Sequence, residues 1–194
     1  LVAFAGIGIS MAAGFLLTML FYKEDKGAEP GAVTAKQADS AAQITIVSPL
    51  KGRTIRLEDV EDEAFSSGVL GKGIAIMPKE GVLYAPADGI ISAFFPTGHA
   101  VGMTTDNGAE LLMHVGMDTV QLNGKGFKPL AAEGNRVKRG QKLLEFDMNL
   151  IKEAGYSLVT PVLVTNVDEI GEVRPAEAEK EIQAGAALIG VGGI

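Results

Sequence analysis

The sequence predicts an all-β domain that follows one long apolar helix. Two observations carry this prediction. The first 22 of the 194 residues contain no charged side chain, and from Ile44 onward short apolar runs alternate with proline and glycine turns. A membrane-spanning helix needs about 20 predominantly apolar residues, whereas strands of globular domains are usually about 3 to 10 residues long. We therefore expect two kinds of structure, joined by a connecting segment.

The apolar segment, residues 1–22, is predicted to be a transmembrane helix. A helix of this length measures about 33 Å, against about 30 Å for the hydrocarbon core of a bilayer. Gly6, Ser10 and Gly14 recur at every fourth position, a pattern that lets membrane helices approach closely. A secretory signal is less favoured, because no basic residue precedes the run and no cleavage motif follows it. Lys23 and Lys26 favour a cytoplasmic carboxyl end, and the start at leucine suggests the tail of a longer, membrane-embedded polypeptide.

Residues 23–43 are predicted to be a flexible linker. From Gly27 they are rich in Ala, Gly, Ser, Gln and Pro, with scattered charges and no apolar periodicity. A chain of this kind has an average reach of about 20 to 25 Å. The linker would let a folded domain sample the surface of a membrane partner.

The rest of the chain, residues 44–194, is predicted to form one β domain. Its apolar runs are enriched in Ile, Val and Phe and are bounded by prolines and glycines, which interrupt central strands. The predicted strands are Ile44–Val47, Ile74–Met77, Gly81–Ala85, Ile90–Phe95, Glu110–Val115, Lys142–Phe146 and Pro161–Asn166. Two helices of about two turns are also predicted, at Leu57–Phe65 and Met148–Ala154, the second capped by Asp147 or Asn149.

Composition excludes several classes of function. A net charge of -7 and a pI near 4.9 argue against nucleic acid as a partner, because phosphate neutralisation needs clustered Lys and Arg. The absence of cysteine excludes disulfides, thiolate catalysis and Cys-ligated zinc. The run Gly68–Gly73 lacks the spacing and the hydroxyl residue of a phosphate loop, so any phosphate donor is expected to be a protein and not ATP.

Both histidines of the chain lie in one stretch and are the candidate catalytic residues. His99 and His114 are fifteen positions apart, and the turn-like segment Thr105–Gly108 lies between them, so a hairpin would bring them face to face. Period-two alternation places His114 on the same strand face as Leu112 and Gly116. We expect the two rings to meet in a shallow, mostly apolar hollow.

Two imidazoles and the hydroxyl of Thr97 suit an anion. A histidine nitrogen can attack phosphorus, while the second histidine and Thr97 donate hydrogen bonds to the phosphoryl oxygens, and this chemistry needs no metal. The alternative is that each histidine is an ordinary hydrogen-bonded side chain of a strand. Gly116 disfavours this, because a missing side chain beside His114 would leave room for a ligand or a partner's backbone, and Asp118 could attract a cationic group.

A family resemblance is carried by five motifs that stand in one order. They are Ile74–Pro78, Ala85–Gly89, Thr97–Ala100, His114–Val120 and Gly124–Phe127. In this arrangement the chain from about Ile44 to Ile194 resembles the glucose-type enzyme IIA domain, the soluble phosphocarrier module of the bacterial sugar phosphotransferase system. The resemblance implies an antiparallel β-sandwich of the duplicated-hybrid-motif type with short helices. No cofactor is expected.

The resemblance also implies roles for individual residues. His114 would accept a phosphoryl group from the histidine-containing phosphocarrier protein and pass it to a cysteine of a IIB domain. His99 would be its stabilising partner, Thr97 would hydrogen-bond the pair, and Asp118 would lie near the docking surface. The remaining docking residues are expected to be Phe95, Val101, Val115 and Gly116.

The preceding apolar segment resembles the last helix of a sugar-transporting IIC domain. The chain would then be the end of a permease ordered IIB, IIC, IIA, of the β-glucoside type that also handles sucrose and trehalose. Such a permease would lie in the plasma membrane with its IIA domain in the cytoplasm.

Two other functions are also compatible with these residues. The domain could be a regulatory module that docks on metabolic enzymes or transporters through the apolar rim around the histidines. Alternatively, His99 and His114 could bind zinc together with a carboxylate from elsewhere. The family resemblance implies that such a site would lie at an interface with a partner. The acidic run Glu58–Glu63 is interpreted as the solvated face of a short helix, because it lacks the spacing of a calcium loop.

Overall fold

The computed structural model describes residues 44–192 of the chain. The predicted transmembrane helix at 1–22 and the predicted linker at 23–43 lie outside the described residues, as do positions 193 and 194. The described helices are all too short or too polar to cross a membrane. The bounds of the three predicted segments therefore stay predictions.

Fourteen strands make up most of the regular structure between residues 44 and 192. They are β1 (Ile44–Val47), β2 (Gly52–Ile55), β3 (Lys72–Pro78), β4 (Val82–Tyr84), β5 (Gly89–Phe94), β6 (Ala100–Thr105), β7 (Glu110–His114), β8 (Phe127–Pro129), β9 (Arg136–Val137), β10 (Lys142–Phe146), β11 (Thr160–Val164), β12 (Val173–Pro175), β13 (Glu181–Ile182) and β14 (Ala187–Val191). All seven predicted strands are present, with ends that differ by two residues at most.

The strands form one large and two small sheets. The large sheet has the order β13-β2-β3-β11-β7-β6-β5-β9, and the small sheets have the orders β1-β14-β12 and β4-β10-β8. Every pairing is antiparallel. Ile46, Ile76 and Leu144, one from each sheet, belong to the same hydrophobic core. The predicted all-β antiparallel fold is thus confirmed.

Strand β7 runs through the large sheet between β11 and β6 and ends at His114. Leu111 and Met113 belong to the hydrophobic core. Because side chains alternate along a strand, Leu112 and His114 lie on the opposite face, where both are also buried. A second layer must therefore cover that face.

The segment between β2 and β3 contains two short helices. They are a 3₁₀ helix at Leu57–Asp59 and α1 at Glu63–Ser66, so the prediction of one continuous helix over Leu57–Phe65 was wrong. Val60 between them is extended, with φ -75° and ψ 134°. The side chain of Asp62 begins the second helix by accepting a hydrogen bond from the Ala64 amide at 2.8 Å.

These two short helices cover the sheet face on which His114 lies. Leu57, Val60 and Phe65 are buried but lie outside the main core, and the ring centroid of Phe65 is 5.1 Å from that of His114. Asp62 is half-buried, and the other acidic residues of the segment are exposed. The interpretation of the acidic run as a solvated face is therefore confirmed for four of its five carboxylates, and Asp62 is only partly exposed.

The other helices are α2 (Met148–Glu153), α3 (Val167–Ile170) and a second 3₁₀ helix at Thr119–Leu122. The predicted helix at Met148–Ala154 is confirmed, and Asp147 is its cap, because its carboxylate accepts hydrogen bonds from two amides at 3.0 Å each. The helix buries Ile151 against the core. The cap therefore stabilises a helix that contributes Ile151 to the hydrophobic core.

We predict that Asp147→Ala lowers the free energy of unfolding by about 1 kcal/mol, because two helical amides lose their acceptor. Urea unfolding monitored by circular dichroism measures the change. Asp147→Asn is the matched control, since asparagine caps as well as aspartate, and it should stay close to wild type. Equal losses in both variants would show that the charge of Asp147 matters and its capping does not.

Candidate functional site

The hairpin of β6 and β7 brings the two histidines together. His114 lies opposite Ala100, the first residue of β6, so His99 comes directly before that pair. The Val115 amide continues the pairing by donating to the His99 carbonyl at 2.7 Å. The two ring centroids are 4.8 Å apart and the ring planes make an angle of 80°. The rings therefore meet edge to face.

His99 is held by the turn between β5 and β6. Its Nδ1 is hydrogen-bonded to the Thr97 hydroxyl at 2.5 Å, and the Phe95 ring packs against it edge to face at a centroid distance of 5.6 Å. Gly98 has a φ of 72°, and its amide donates to the Phe95 carbonyl at 2.7 Å. The tight turn thus places the hydroxyl and the ring side by side.

His114 is held by the backbone that follows its own strand. Its Nδ1 lies 2.7 Å from the carbonyl oxygen of Gly116. A carbonyl oxygen only accepts hydrogen bonds, so Nδ1 must carry the proton in the neutral ring. The lone pair is then on Nε2, which is the nitrogen available for a nucleophilic attack.

Gly116 has a different role from the one predicted. Its φ is 74°, and a Cβ atom there would lie 2.6 Å from both the Ser157 carbonyl oxygen and the Thr119 methyl carbon. The prediction that Gly116 leaves room for a ligand was therefore wrong, because other atoms fill that space. Glycine is required here because only its backbone readily adopts the left-handed turn that aims the carbonyl back at His114.

Both rings are neutral near pH 7. Burial lowers the pKa of His99 to about 3, and the neighbouring His114 acts in the same direction. Burial also lowers the pKa of His114, opposed by its hydrogen bond to Gly116 and by the negative charges of Asp62 and Asp118. A neutral imidazole keeps a free lone pair, so Nε2 of His114 is ready to react at physiological pH.

The histidines lie deeper than the shallow hollow that we predicted. His99 is 3% exposed and His114 is 4% exposed. Phe65 contacts one ring and Phe95 the other, so two aromatic side chains flank the pair. A reacting group can therefore approach only within a narrow range of directions.

Comparison with known proteins identifies the family. Residues 44–170, more than half of the chain, match the family model of the phosphoenolpyruvate-dependent sugar phosphotransferase system, EIIA 1. The chain belongs to this family.

Curated relatives agree with this assignment. The β-glucoside-specific EIIBCA component of Halalkalibacterium halodurans is 49% identical over 144 residues, which are 74% of this chain and 22% of that protein. The β-glucoside-specific EIIBCA component of Bacillus subtilis is 42% identical over 184 residues, or 91% of this chain and 30% of that protein. The chain thus spans less than a third of the length of these relatives.

Shorter relatives match over most of their length. The glucose-specific EIIA component of Halalkalibacterium halodurans is 44% identical over 149 residues, which cover 77% of this chain and 86% of that protein. The solved structure of glucose permease IIA from Mycoplasma capricolum superposes with a TM-score of 0.70 at 32% identity, covering 76% of this chain and 95% of that chain. The predicted glucose-type EIIA domain is thus confirmed.

The structure corrects most of the predicted docking residues of this EIIA domain. Val101 and Val115 are fully buried in the hydrophobic core, and Gly116 is buried as well. The same alternation that turns His114 away from the core turns Val115 into it. Phe95 is 6% exposed, and Asp118 alone of the five is exposed.

Two residues of the EIIA site were not predicted from the sequence. Phe65 contacts the ring of His114, and the charge of Asp62 raises the pKa of that ring. Both lie about fifty positions before His114, at a helix of four residues. The sequence could have indicated that Asp62 caps a helix, because aspartate is a preferred N-cap residue. It could not have indicated which sheet face that helix covers.

Within residues 44–192, no group of three or more His, Asp or Glu side chains is arranged to hold a metal ion. Zinc at His99 and His114 would need its remaining ligands from a partner protein. The interfacial zinc site therefore stays a prediction.

Lowering the pH should destabilise the EIIA domain through its histidines. The folded-state pKa of His99, about 3, lies below the ordinary value of 6.5, so the unfolded chain takes up a proton first as the pH falls. The contribution of His99 to the free energy of unfolding is therefore greatest above pH 6.5 and is lost progressively as the pH falls below that value. Between pH 6 and pH 5 this histidine should lower the free energy of unfolding by about 1 kcal/mol.

Urea unfolding at several pH values between 5 and 7 measures this effect. We expect the stability of His99→Gln to change less steeply with pH than that of wild type, by about 1 kcal/mol per pH unit. Parallel pH profiles for the two proteins would show that His99 is not held neutral by burial.

Proposed function

We propose that this EIIA domain carries a phosphoryl group on Nε2 of His114. The donor is a phosphohistidine of the histidine-containing phosphocarrier protein, and the acceptor is a cysteine of a IIB domain. The observation that supports this most directly is the 2.7 Å hydrogen bond from Nδ1 of His114 to the Gly116 carbonyl. It leaves the lone pair on Nε2, in a ring that burial keeps neutral.

The transfer onto His114 needs no change of protonation at this ring. The Nε2 lone pair forms a bond to phosphorus while the P–N bond of the donor breaks, and the donor nitrogen keeps the electron pair. Nδ1 keeps its proton and its hydrogen bond. The phosphorylated ring is formally cationic, and the carbonyl of Gly116 and the carboxylates of Asp62 and Asp118 stabilise that charge.

The onward step reverses this arrangement. The thiolate of the IIB cysteine attacks phosphorus, the bond to Nε2 breaks, and Nε2 recovers its electron pair. His114 returns to the neutral form with its proton on Nδ1. The same hydrogen bond to Gly116 thus serves both directions of transfer.

His99 is proposed to stabilise the transferred group. We assign the hydroxyl proton of Thr97 to the hydrogen bond with Nδ1 of His99, which places the proton of the neutral ring on Nε2. That N–H can donate to a phosphoryl oxygen on the neighbouring ring, 4.8 Å away between centroids. Donors aimed at the developing charge are a major source of stabilisation in such transfers.

The docking surface is proposed to combine acidic and apolar side chains. Asp62 and Asp118 place negative charge near His114, which would attract a cationic partner. Val69 is 67% exposed and lies four residues after Phe65, in the segment between β2 and β3 that covers His114. These side chains take the place of Val101 and Val115 in the predicted docking surface.

The wider context is proposed from the relatives. Two of them are β-glucoside-specific EIIBCA components. By analogy, IIB and IIC domains would lie in the same polypeptide as this EIIA domain, in a β-glucoside-type permease of the plasma membrane with the EIIA domain in the cytoplasm. The apolar residues 1–22 would then be the last helix of the IIC domain.

The two histidines should differ in their effects on phosphoryl transfer. The purified 194-residue chain is incubated with phosphorylated phosphocarrier protein, the acid-labile phosphate is measured, and a IIB domain is then added. We expect His114→Gln to accept no phosphate, because the nucleophile is lost. His99→Gln should still be labelled but should pass the phosphate on about a hundredfold more slowly.

Equal and complete loss in both variants would contradict this division of roles. A purely regulatory binding module would carry no labelled histidine in the wild-type protein. Circular dichroism of each variant controls for folding.

The carboxylates should affect docking more than chemistry. We expect Asp62→Asn and Asp118→Asn each to raise the KM for the phosphorylated donor about two- to fivefold at low salt, and less at high salt. Asparagine keeps the cap at position 62. Glu133→Gln is the control, because it removes the same charge from an exposed carboxylate that does not act on the pKa of His114. It should leave KM unchanged. A salt-independent loss of kcat alone would contradict a docking role.

A further inference from the structure

Buried hydroxyl groups hold the loop that follows β7. Thr119 is fully buried, and its Oγ1 donates to the Val115 carbonyl at 2.6 Å. Thr160 is also fully buried; its Oγ1 donates to the Leu158 carbonyl at 2.8 Å and accepts from the Gly116 amide at 3.4 Å. The peptide group between Val115 and Gly116 is thus bound at both of its polar atoms.

The next peptide group, between Gly116 and Met117, is bound at both ends as well. Its carbonyl accepts from Nδ1 of His114 at 2.7 Å, and its amide donates to the Ser157 carbonyl at 3.0 Å. In a trans peptide the carbonyl and the amide point in opposite directions, so a rotation of this group would break both bonds. Four backbone atoms around Gly116 are therefore fixed by hydrogen bonds.

We propose that Thr119 and Thr160 are positioning residues that set the tautomer of His114 by holding this loop in place. Neither residue touches the reacting nitrogen. They act through the carbonyl of Gly116, which can keep the proton on Nδ1 only while it stays within hydrogen-bonding distance. This inference deepens the proposed function and rests on it for its catalytic consequence.

Removal of a threonine hydroxyl would disturb this loop. Without the Thr119 hydroxyl, the buried Val115 carbonyl loses its hydrogen-bond donor, which costs free energy. A shift of the loop that gives this carbonyl another donor is then favoured. The carbonyl of Gly116 then moves away from Nδ1, and the proton is no longer confined to that nitrogen. A ring that carries its proton on Nε2 has no lone pair there and cannot attack phosphorus at that position.

The two threonines should contribute unequally. The hydrogen bond from Thr119 is 2.6 Å long, whereas the one that Thr160 accepts from Gly116 is 3.4 Å long and correspondingly weak. The Thr119 methyl also fills the space beside Gly116. Thr119→Val keeps this methyl and replaces the hydroxyl with a second methyl, so it removes the hydrogen bond while preserving the packing.

The test measures the tautomer directly, without phosphate. Long-range ¹H–¹⁵N correlation spectra of the unphosphorylated 194-residue chain at slightly alkaline pH report which ring nitrogen of His114 is protonated. We expect wild type to show Nδ1 protonated and Nε2 free. Thr119→Val should show a mixture of tautomers, Thr160→Val a smaller change in the same direction, and the two Thr→Ser variants the wild-type pattern.

Thr105→Val is the matched control. Thr105 is also buried, and its hydroxyl accepts a hydrogen bond from the Ala109 amide at 3.0 Å, at the far end of the same hairpin. It should lose stability without changing the spectrum of His114. Phosphate acceptance should fall about tenfold in Thr119→Val and stay within about twofold of wild type in Thr119→Ser.

The proposal is overturned if both valine variants keep the wild-type tautomer, or if Thr105→Val changes the His114 spectrum as much as they do. If Thr119→Val does not fold, Thr160→Val decides by the same criterion. A wild-type protein that accepts no phosphate would refute the proposed function, but the nitrogen spectra would still decide whether the threonines set the tautomer.

Discussion

The hydrogen bond between Nδ1 of His114 and the Gly116 carbonyl lies at the point where strand β7 leaves the large sheet. It joins the backbone geometry to the chemistry, because the position of one carbonyl oxygen decides which imidazole nitrogen keeps its lone pair. The left-handed conformation of Gly116 directs that carbonyl towards His114. The Ser157 carbonyl, in the segment before β11, fixes the same peptide group by accepting a hydrogen bond from the Met117 amide. The site therefore depends on a loop that contributes no reactive side chain of its own.

Burial adds a second constraint. Two imidazoles in edge-to-face contact would repel each other if both were charged, and each lies in a largely apolar setting beside a phenylalanine ring. Both effects disfavour the protonated forms. The nearby carboxylates of Asp62 and Asp118 act in the opposite direction at His114. Burial thus keeps the ring neutral at rest, while the carboxylates would stabilise a positive charge on it. The proposed nucleophile, which would become formally cationic when it carries phosphate, would benefit from both features.

Parts of the fold were readable because the local pattern agreed with the tertiary structure. The strands β1 and β10 begin and end where they were predicted, since both are short apolar runs between turn residues. Strand β6 was not among the predicted strands, although the predicted hairpin requires a strand there. Gly102 weakens its local signal, and its neighbours β5 and β7 supply the pairing that makes it a strand. The helix at Leu57–Phe65 was wrong because Asp62 caps a second helix and does not continue the first.

The sequence by itself determined which residues are the candidates for the reaction. It contains only two histidines, and a hairpin between them brings His99 and His114 together through local pairing alone. The tertiary structure decided what surrounds them. Phe65, Asp62 and Ser157 come from segments distant in sequence, and which of their atoms face the rings depends on how these segments pack against the sheet. Packing of that kind leaves no periodic trace along the chain. The burial of Val101 and Val115 does leave one, because strand alternation turns Val115 away from the face of His114 and Val101 pairs with the core residue Met113, so their assignment to the docking surface was wrong on local grounds.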